Sequence, residues 1–273
     1  MRQRVSIDLA ALLLPIARQA GDAIMSIYGS GQSGVREKAD HSPVTEADLA
    51  AHVVLTNALG SLPPGYPVVS EEDERSLAHR NGSGRFWLID PLDGTKEFIA
   101  RNGEFTVNIA LIDQGRSVLG VVYAPAIDCM YWGGAGLGAF RETAAGTQPI
   151  KVSAAEPDDG CRVVASKSHL NEETQAFIER LGSVSLIQAG SSLKFCRVAE
   201  GVADIYPRLA PTCEWDTAAA QAVLEGAGGV VLDREGNPLR YGKPDVLNPS
   251  FVAARTAVLI PARLIGHIHW QVR

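Results

Sequence analysis

Two aspartates stand at the end of an apolar run in the segment FWLIDPLDGTKEF, residues 86–98. The four residues before Asp90 are apolar or aromatic, a pattern that predicts a strand buried on both faces. Pro91 lacks an N–H and is expected to end the pairing of that strand, and with Gly94 it forces a turn that brings Asp93 beside Asp90. A simple turn accounts for Asp93 before a glycine, but it leaves the buried position of Asp90 unexplained.

Two carboxylates placed this close together need a cation or a shared proton. At about 4 Å and an effective dielectric constant near 20, they repel by roughly 4 kcal/mol. Mg²⁺ is the expected cation because it prefers oxygen ligands, and the carbonyl of Leu92 in the same turn is a further candidate ligand. Residues 95–98 can begin a helix, and the N–H groups of Gly94 and Thr95 would then face an anion such as a phosphate.

Three further acids stand where elements begin or end. Glu71 follows the apolar strand in YPVVSEED. From the residues alone, a place in a charged surface loop is as well supported for Glu71 as a place in the site, and the loop is preferred for Glu72, Asp73 and Glu74. Asp216 begins the alanine-rich helix of CEWDTAAAQAVLEGAGG, where aspartate is a common N-cap, and a capping carboxylate can still bind a metal through its other oxygen. Asp48 follows Thr45 by three residues at another helix start, which resembles a capping box. From the residues alone, capping is the preferred interpretation of Asp48.

The elements that must position these acids differ in type along the first half of the chain. Apolar residues at three- and four-residue spacing predict an amphipathic helix near the N-terminus, although Pro15 falls early in it. A second helix is predicted from Pro43 to about Gly60. Residues 73–84 are polar and turn-rich, which predicts a surface loop. From Arg85 onward, apolar runs punctuated by glycine and proline predict an antiparallel sheet.

The second half has a different pattern. Strands at CRVVAS, SVSLIQAG and GGVVLD alternate with helices over residues 171–181, 192–200 and 217–226, which is typical of a layered α/β unit. The segment RETAAGTQPIKVSAAEPDDG is the expected passage between the halves. We therefore divide the chain into residues 1–150, an α+β half with the antiparallel sheet and most candidate ligands, and residues 151–273, an α/β half that completes the site.

Composition narrows the choice of partners. The 273 residues carry a net charge of -6, and the 25 basic residues form no dense run, so neither nucleic acid nor an anionic membrane surface is an expected partner. No apolar run is long enough to span a bilayer. The four cysteines form no C-x-x-C pair, which fits a reducing cytoplasm. The apolar N-terminus is expected to be the amphipathic helix rather than a signal peptide, because Asp8 interrupts it.

Three separate motifs in the chain carry a resemblance to a known family: DPLDGTKEF, SEED and WDTAAAQAVLEGAGG. Their order and separation resemble those of the lithium-sensitive, magnesium-dependent phosphatases of the inositol monophosphatase superfamily. Within it, the chain is similar to the CysQ-type 3′(2′),5′-bisphosphate nucleotidases, from ARQAGDAIM to GSSLKFCRVAEGVADIYPRL. The resemblance implies an α/β fold built as a layered αβαβα sandwich, with two or three Mg²⁺ ions per active site. The metal ligands that it implies are Glu71, Asp90, the Leu92 carbonyl, Asp93 and Asp216.

The same resemblance implies that Asp48 and Thr95 orient or deprotonate the attacking water. Asp48 would then have a catalytic role in addition to capping its helix. It implies substrate contacts at Gly94, Thr95, Lys96, His169, Ser191, Lys194 and Arg208. Lys194 and Arg208 are chemically suited to the phosphate that is not cleaved. The implied reaction is in-line hydrolysis of 3′-phosphoadenosine 5′-phosphate to AMP and phosphate, with a role in sulfur assimilation and no phospho-enzyme.

Three other functions compete with this one. An inositol monophosphatase or inositol-polyphosphate 1-phosphatase would share the metal ligands, but those enzymes usually carry Thr-Asn-Phe where this chain has Lys96-Glu97-Phe98. Haloacid-dehalogenase phosphatases use D-x-D-G-T, whereas the spacing here is D-x-x-D-G-T. A nucleotide sensor without activity would be expected to have lost a ligand, and all matched positions are filled. The protein is expected to be a monomer or homodimer in the cytoplasm, with peripheral attachment to the inner membrane as an alternative in a bacterium.

Overall fold

The computed structural model of the protein describes residues 5–31, 34–38, 43–80, 84–155, 160–165 and 171–260. The α-helices within these ranges are α1 (Ile7–Ser30), α2 (Glu46–Ser61), α3 (Thr95–Ile99), α4 (Glu172–Arg180), α5 (Leu193–Ala199) and α6 (Glu214–Gly226). Short 3₁₀ helices lie at Glu74–His79, Pro125–Ile127 and Ala257–Leu259. None of the helices in the described ranges has both the length and the apolar character needed to cross a membrane.

The strands form two large sheets and one small one. In chain order they are β1 (Arg36–Glu37), β2 (Pro43–Val44), β3 (Val68–Ser70), β4 (Arg85–Asp93), β5 (Thr106–Asp113), β6 (Arg116–Ala124), β7 (Cys129–Gly134), β8 (Gly138–Thr143), β9 (Gly146–Ile150), β10 (Cys161–Ala165), β11 (Val184–Gln188), β12 (Ile205–Arg208), β13 (Val230–Asp233) and β14 (Phe251–Ala254). β1 pairs with β2, the seven-stranded sheet has the order β3-β4-β5-β6-β7-β8-β9, and the five-stranded sheet has the order β11-β10-β12-β14-β13.

Helices and sheets stack in five layers. α1 and α2 cover one face of the seven-stranded sheet, to which β4 contributes Trp87 and Ile89. α5 and α6 lie between the two large sheets and pack on the other face, where β4 contributes Phe86 and Leu88. α4 covers the outer face of the five-stranded sheet through Phe177. The predicted αβαβα sandwich is therefore confirmed, as is the prediction that the strand before Asp90 is buried on both faces.

β4 continues further than predicted. Asp90 pairs with Asn108 and Asp93 pairs with Thr106, with a shift of register between the two pairs. Pro91 therefore interrupts the ladder, because it has no N–H, but pairing resumes two residues later. The predicted turn follows at Gly94, whose φ of 94° lies in the left-handed region that glycine tolerates best, and α3 begins at the next residue.

The two N-terminal helices are present as predicted, although α2 begins at Glu46 and not at Pro43, because Pro43 and Val44 pair with β1 as strand β2. α1 starts after Ser6, whose hydroxyl accepts the N–H of Leu9 at 3.2 Å, and the helix runs through Pro15. α2 starts after Thr45 with a complete capping box, in which Asp48 is the acidic member. Both helices thus begin at N-cap residues of the types that favour this position, Ser6 and Thr45.

Several details differ from the sequence predictions. The predicted surface loop before β4 contains a 3₁₀ helix, and the first part of the predicted passage, residues 141–150, belongs to the antiparallel hairpin of β8 and β9. The chain passes from one large sheet to the other between Ile150 and Cys161. β12 and β14 were not predicted, because each has four residues and β12 contains a proline and an arginine. The division into two halves at residue 150 stays a prediction.

Candidate active site

Three carboxylates from different elements meet beside the end of β4. Glu71 follows β3, which runs parallel to β4, so both strands carry their acids toward the same edge of the sheet. Asp216 is the third residue of α6 rather than its predicted N-cap, which is Cys213, and its carboxylate reaches back to accept the Cys213 N–H. Within the described part of the chain, oxygens of Glu71, Asp90 and Asp216 all lie within 4.8 Å of one another. The sequence-predicted acids are therefore neighbours, while metal binding by them stays a prediction.

The environment of this group disfavours negative charge. Burial raises the pKa of Asp90 well above its ordinary value, and repulsion from Glu71, Asp93 and Asp216 raises it further. Burial also raises the pKa of Asp216, with additional repulsion from Asp93 and Glu71. The pKa of Glu71 is raised by burial as well, although the nearby Lys38 opposes the change. Three crowded carboxylates, of which Asp90 is buried and Glu71 and Asp216 are half-buried, supply only oxygen ligands, so the group fits a hard divalent cation such as Mg²⁺.

Lys38 is a site residue that the sequence did not predict. Its Nζ lies 2.8 Å from Glu71 Oε1 and 2.7 Å from Glu72 Oε1. Burial lowers the pKa of Lys38, but the two carboxylates outweigh burial and raise it overall. Glu72 is thus drawn into this contact, rather than lying in a simple charged loop as predicted. Only the folded chain shows this, because the partners lie far apart in sequence.

Asp48 and Thr95 are brought together as the resemblance implied. The Thr95 hydroxyl donates to Asp48 Oδ1 at 3.2 Å. The other oxygen, Oδ2, accepts from the N–H and the hydroxyl of Thr45 at 2.8 and 2.6 Å. Burial raises the pKa of Asp48, and the hydrogen bonds from Thr45 and Thr95 oppose that shift. One carboxylate therefore caps α2 and faces Thr95 at the same time.

Asp93 lies beside the three-carboxylate group but points one oxygen elsewhere. Its Oδ2 accepts from the backbone N–H of Ser192 at 2.6 Å and from the Ser192 hydroxyl at 2.7 Å. Burial raises the pKa of Asp93, while the charge of Lys194 and the Ser192 hydrogen bonds oppose the rise. Asp93 thus links β4 to the residues that precede α5.

A shared feature unites the four aspartates of the site. Each accepts a backbone N–H with one oxygen and keeps a second oxygen for other partners. The four hydrogen bonds are Thr45 N to Asp48, Leu92 N to Asp90, Ser192 N to Asp93 and Cys213 N to Asp216, at 2.8, 3.0, 2.6 and 2.7 Å. The side chains are therefore oriented by the main chain before any ion or substrate is bound.

A cleft of about 270 Å³ opens at this group. The predicted site residues that line it are Glu71, Asp93, Gly94, Thr95, Lys96, Ser191, Lys194, Arg208 and Asp216. Asp48 and Asp90 adjoin it through Thr95 and through the other carboxylates. The Leu92 carbonyl lies 3.5 Å from the Thr95 hydroxyl. The predicted contact His169 lies outside the described residues.

Lys194 and Arg208 place two cations in this cleft. Lys194 is buried, its Nζ lies 5.5 Å from the centre of the Tyr206 ring, and no described residue accepts a hydrogen bond from it. Burial lowers the pKa of Lys194 to about 8, and the charge of Asp93 partly opposes this. Arg208 donates to the Pro211 carbonyl at 3.2 Å, while its buried Nε has no acceptor within the described residues. Both side chains retain donors for an anion.

Two polar residues behind the cleft were also missed by the sequence predictions. Asn108 donates to the Ser192 hydroxyl at 2.8 Å, and both side chains are almost fully buried. A sequence signal for Asn108 did exist, since an amide inside the apolar strand TVNIALID needs a buried partner. The partner itself could not be named, because it lies 84 residues away.

Comparison with known proteins agrees with the fold. The sequence model of the inositol monophosphatase family matches residues 8–267 of this chain. A 3′(2′),5′-bisphosphate nucleotidase CysQ from Escherichia coli strain K12 is 51% identical over 238 residues, which are 86% of this chain and 95% of that protein. A protein with the same description from Haemophilus influenzae is 36% identical over 88% of this chain and 90% of its own length.

A solved structure gives the same result. The crystal structure of CysQ from Bacteroides thetaiotaomicron, described as a bacterial member of the inositol monophosphatase family, has a TM-score of 0.80 and 42% identity, covering 91% of this chain and 97% of that one. The chain therefore belongs to the inositol monophosphatase family. Among its members, the E. coli and H. influenzae relatives are described as 3′(2′),5′-bisphosphate nucleotidases CysQ, and the Bacteroides protein is described as CysQ.

Proposed function

We propose that the protein is a magnesium-dependent 3′(2′),5′-bisphosphate nucleotidase that converts 3′-phosphoadenosine 5′-phosphate to AMP and phosphate. The observation that carries this proposal is a single cleft with convergent carboxylates and two cations, Lys194 and Arg208. A substrate with two phosphates would suit both the carboxylates and the basic side chains. Metal ions held by the carboxylates would bind one phosphate, and Lys194 and Arg208 would bind the other. The 51% identity to the E. coli nucleotidase supports the same activity.

Glu71, Asp90, the Leu92 carbonyl, Asp93 and Asp216 are the proposed ligands of two or three Mg²⁺ ions. Their support is the oxygen-only chemistry of the group and the raised pKa values of Asp90 and Asp216. When bound, such ions lower the pKa of a water molecule and neutralise charge on the departing oxygen.

The remaining residues have proposed roles that follow from their contacts. Thr95 donates its hydroxyl proton to Asp48, so its oxygen lone pairs face the cleft and can accept a hydrogen bond from the attacking water. Asp48 would then act as the base through Thr95, whose oxygen takes the proton of the water as its own hydroxyl proton passes to Asp48 Oδ1. The N–H groups of Gly94 and Thr95, together with Lys96 and Ser191, line the cleft where a phosphate would bind. A contact between His169 and the substrate is part of the proposal from the sequence alone, since His169 lies outside the described residues.

Phosphate release by the purified protein tests the proposal. The substrates are 3′-phosphoadenosine 5′-phosphate and inositol 1-phosphate, each with Mg²⁺, with chelator, and with Mg²⁺ plus Li⁺. We expect fast, Mg²⁺-dependent release from the nucleotide and inhibition by Li⁺. The variant Asp93→Asn should lose this activity, whereas Asp22→Asn, on the exposed face of α1, should retain it. Preferential hydrolysis of inositol 1-phosphate, or full activity of Asp93→Asn, would contradict the assignment.

The cellular setting is a further part of the proposal. We expect the protein to act in the cytoplasm, where removal of 3′-phosphoadenosine 5′-phosphate supports sulfur assimilation. All four cysteines are free, which is consistent with a reducing compartment. A monomeric or homodimeric state is expected, and light scattering of the purified protein measures it directly.

A further inference from the structure

A buried polar network surrounds Asp93, and three of its members, Thr106, Asn108 and Ser192, have no role assigned above. It consists of Thr106 and Asn108 on β5, Ser191 and Ser192 before α5, and the carboxylate of Asp93. Thr106, Asn108 and Ser192 are each no more than 1% exposed. Buried polar groups are costly unless they are satisfied, so a network of this kind beside a group of carboxylates calls for a specific explanation.

The hydrogen bonds of the network converge on one atom. Asp93 Oδ2 accepts from Ser192 N at 2.6 Å, from Ser192 Oγ at 2.7 Å and from Asn108 Nδ2 at 3.5 Å. Asn108 Nδ2 also donates to Ser192 Oγ at 2.8 Å, which directs the hydroxyl proton of Ser192 away from Asn108. The Thr106 hydroxyl lies 3.3 Å from Asn108 Oδ1, which sets the orientation of the amide. The acceptor capacity of Oδ2 is therefore taken up.

We propose that Asn108 and Ser192 are positioning residues that saturate Asp93 Oδ2 and leave Oδ1 as the single oxygen with which Asp93 binds a divalent cation. The inference rests on the proposed role of Asp93 as a metal ligand. The hydroxyl oxygen of Ser192 also lies 3.1 Å from the backbone carbonyl oxygen of Asp216. The single hydroxyl proton of Ser192 is directed to Asp93 Oδ2 in the shorter contact, so the approach to the Asp216 carbonyl places Ser192 against the first turn of α6 without a second hydrogen bond.

The network also joins the proposed metal ligand to the substrate side of the cleft. Ser191, a predicted substrate contact, has a φ of 43°, a conformation that a serine rarely adopts. Its hydroxyl lies 3.4 Å from that of Thr106, and its neighbour Ser192 is anchored to Asp93. These bonds hold the strained turn in place. Removal of Asn108 should therefore weaken the binding of both the cation and the substrate.

Mn²⁺ binding to the full chain without substrate tests this proposal, with free Mn²⁺ measured by electron paramagnetic resonance. Asn108→Ala and Ser192→Ala should each raise the dissociation constant by about 10-fold or more, as is typical for groups that orient metal ligands. The double variant should be little worse than either single one, because both changes act through the same oxygen. Asp93→Asn serves as the positive control.

Ser117→Ala is the matched control for loss of a buried hydroxyl. Ser117 lies on β6 and donates to the Ala218 carbonyl of α6 at 2.7 Å, outside the network. It should lose stability to denaturant but keep the wild-type Mn²⁺ constant. If Asn108→Ala and Ser192→Ala also keep the wild-type Mn²⁺ dissociation constant, the proposal is wrong. If only Ser192→Ala raises that constant, Asn108 is not a positioning residue. Nucleotide hydrolysis by the wild type, measured in parallel, tests the proposed function separately.

Discussion

Asp48 combines a structural contact with a proposed catalytic role. Its Oδ2 belongs to the cap of α2, while its Oδ1 accepts from Thr95 at the edge of the cleft. These two duties use different atoms, so they can be separated by substitutions that affect only one of them. The pair Asp48→Asn and Thr45→Ala makes that separation.

Asp48→Asn should reduce kcat by about 100-fold or more, because an amide cannot act as a general base. The amide oxygen can still accept the Thr45 N–H, so the unfolding free energy should change little. Thr45→Ala removes the hydroxyl that caps Ala47 N and should cost about 1 kcal/mol of stability. Its activity should stay much closer to that of the wild type. Steady-state kinetics and urea unfolding of both variants check these expectations, and equal losses of kcat would contradict them.

Lys194 leads to a prediction about pH. Because burial lowers the pKa of Lys194 to about 8, the free enzyme loses this positive charge as the pH rises through that value. For 3′-phosphoadenosine 5′-phosphate, kcat/KM should therefore fall above about pH 8. Adenosine 3′-phosphate lacks the second phosphate and is the matched substrate. The ratio of the two kcat/KM values should decline with pH in the wild type and become flat in Lys194→Met, and a flat ratio in the wild type would contradict the proposed contact.

The residues that could be predicted from the sequence are those that stand beside a local signal. Asp90 and Asp93 follow an apolar strand, and Asp216 precedes an alanine-rich helix. Lys38 and Ser192 carry no such signal, because a lysine or a serine is ordinary on any surface. Their roles arise from contacts with Glu71 and Asp93, which the folded chain alone brings within reach.

At the scale of elements, the close approach of α6 to the seven-stranded sheet positions Asp216. Gly120 on β6 faces the helix, and a Cβ atom at this position would overlap the backbone of Ala219. The alanines of α6 are buried against the same surface. Small residues on both partners thus set the depth at which the helix lies, and with it the position of its first turn.

Gly120→Ala should destabilise the protein by about 1–3 kcal/mol or more, because neither backbone can yield without moving α6. The same displacement should weaken Mg²⁺ activation. Gly60→Ala is the control, because a Cβ atom at Gly60 in α2 would meet no other element within 4 Å. Alanine there should leave activity unchanged and stabilise the helix by about 0.5–1 kcal/mol. Thermal unfolding and Mg²⁺ titrations of both variants test this, and normal Mg²⁺ activation of a folded Gly120→Ala would refute the link.

Elements with strong periodicity were predictable, and short ones were not. α1, α2 and β4 to β7 carry clear apolar patterns and agree with the predictions. β12 and β14 each add four residues to the five-stranded sheet, and their places are set by neighbours distant in sequence. The predicted passage between the halves begins about ten residues too soon because β9 is largely exposed and contains a proline, which hides its pairing with β8.

At the scale of the whole molecule, the metal-free fold carries an electrostatic cost at one place. The pKa values of Glu71, Asp90 and Asp216 are raised by burial and mutual repulsion. The unfolded chain ionises these groups near their ordinary pKa values, whereas the folded chain keeps protons on them to higher pH. The folded state therefore binds more protons, and stability falls as the pH rises from the ordinary carboxyl values through the raised ones.

In chelator, the unfolding temperature should thus fall between about pH 5 and pH 8, and added Mg²⁺ should restore it most at the higher pH. Asp90→Asn removes one charge, while its amide oxygen can still accept the Leu92 N–H. This variant should be more stable than the wild type in chelator at pH 8, by about 1–2 kcal/mol, and should respond less to Mg²⁺. Differential scanning calorimetry measures both quantities, and a less stable Asp90→Asn would show that repulsion is not the dominant effect.

The backbone hydrogen bonds of the four aspartates bear on how a related sequence should be interpreted. Because Asp48, Asp90, Asp93 and Asp216 each accept a main-chain N–H with an oxygen that asparagine also carries, a descendant that no longer needs catalysis would keep its fold with either aspartate or asparagine at these positions. An oxygen acceptor at these positions is then weak evidence that a relative is active. The side chains of Thr95 and Glu71 have no such hydrogen bond to the main-chain N–H groups of the described residues. These two positions are the ones whose loss should first mark an inactive descendant.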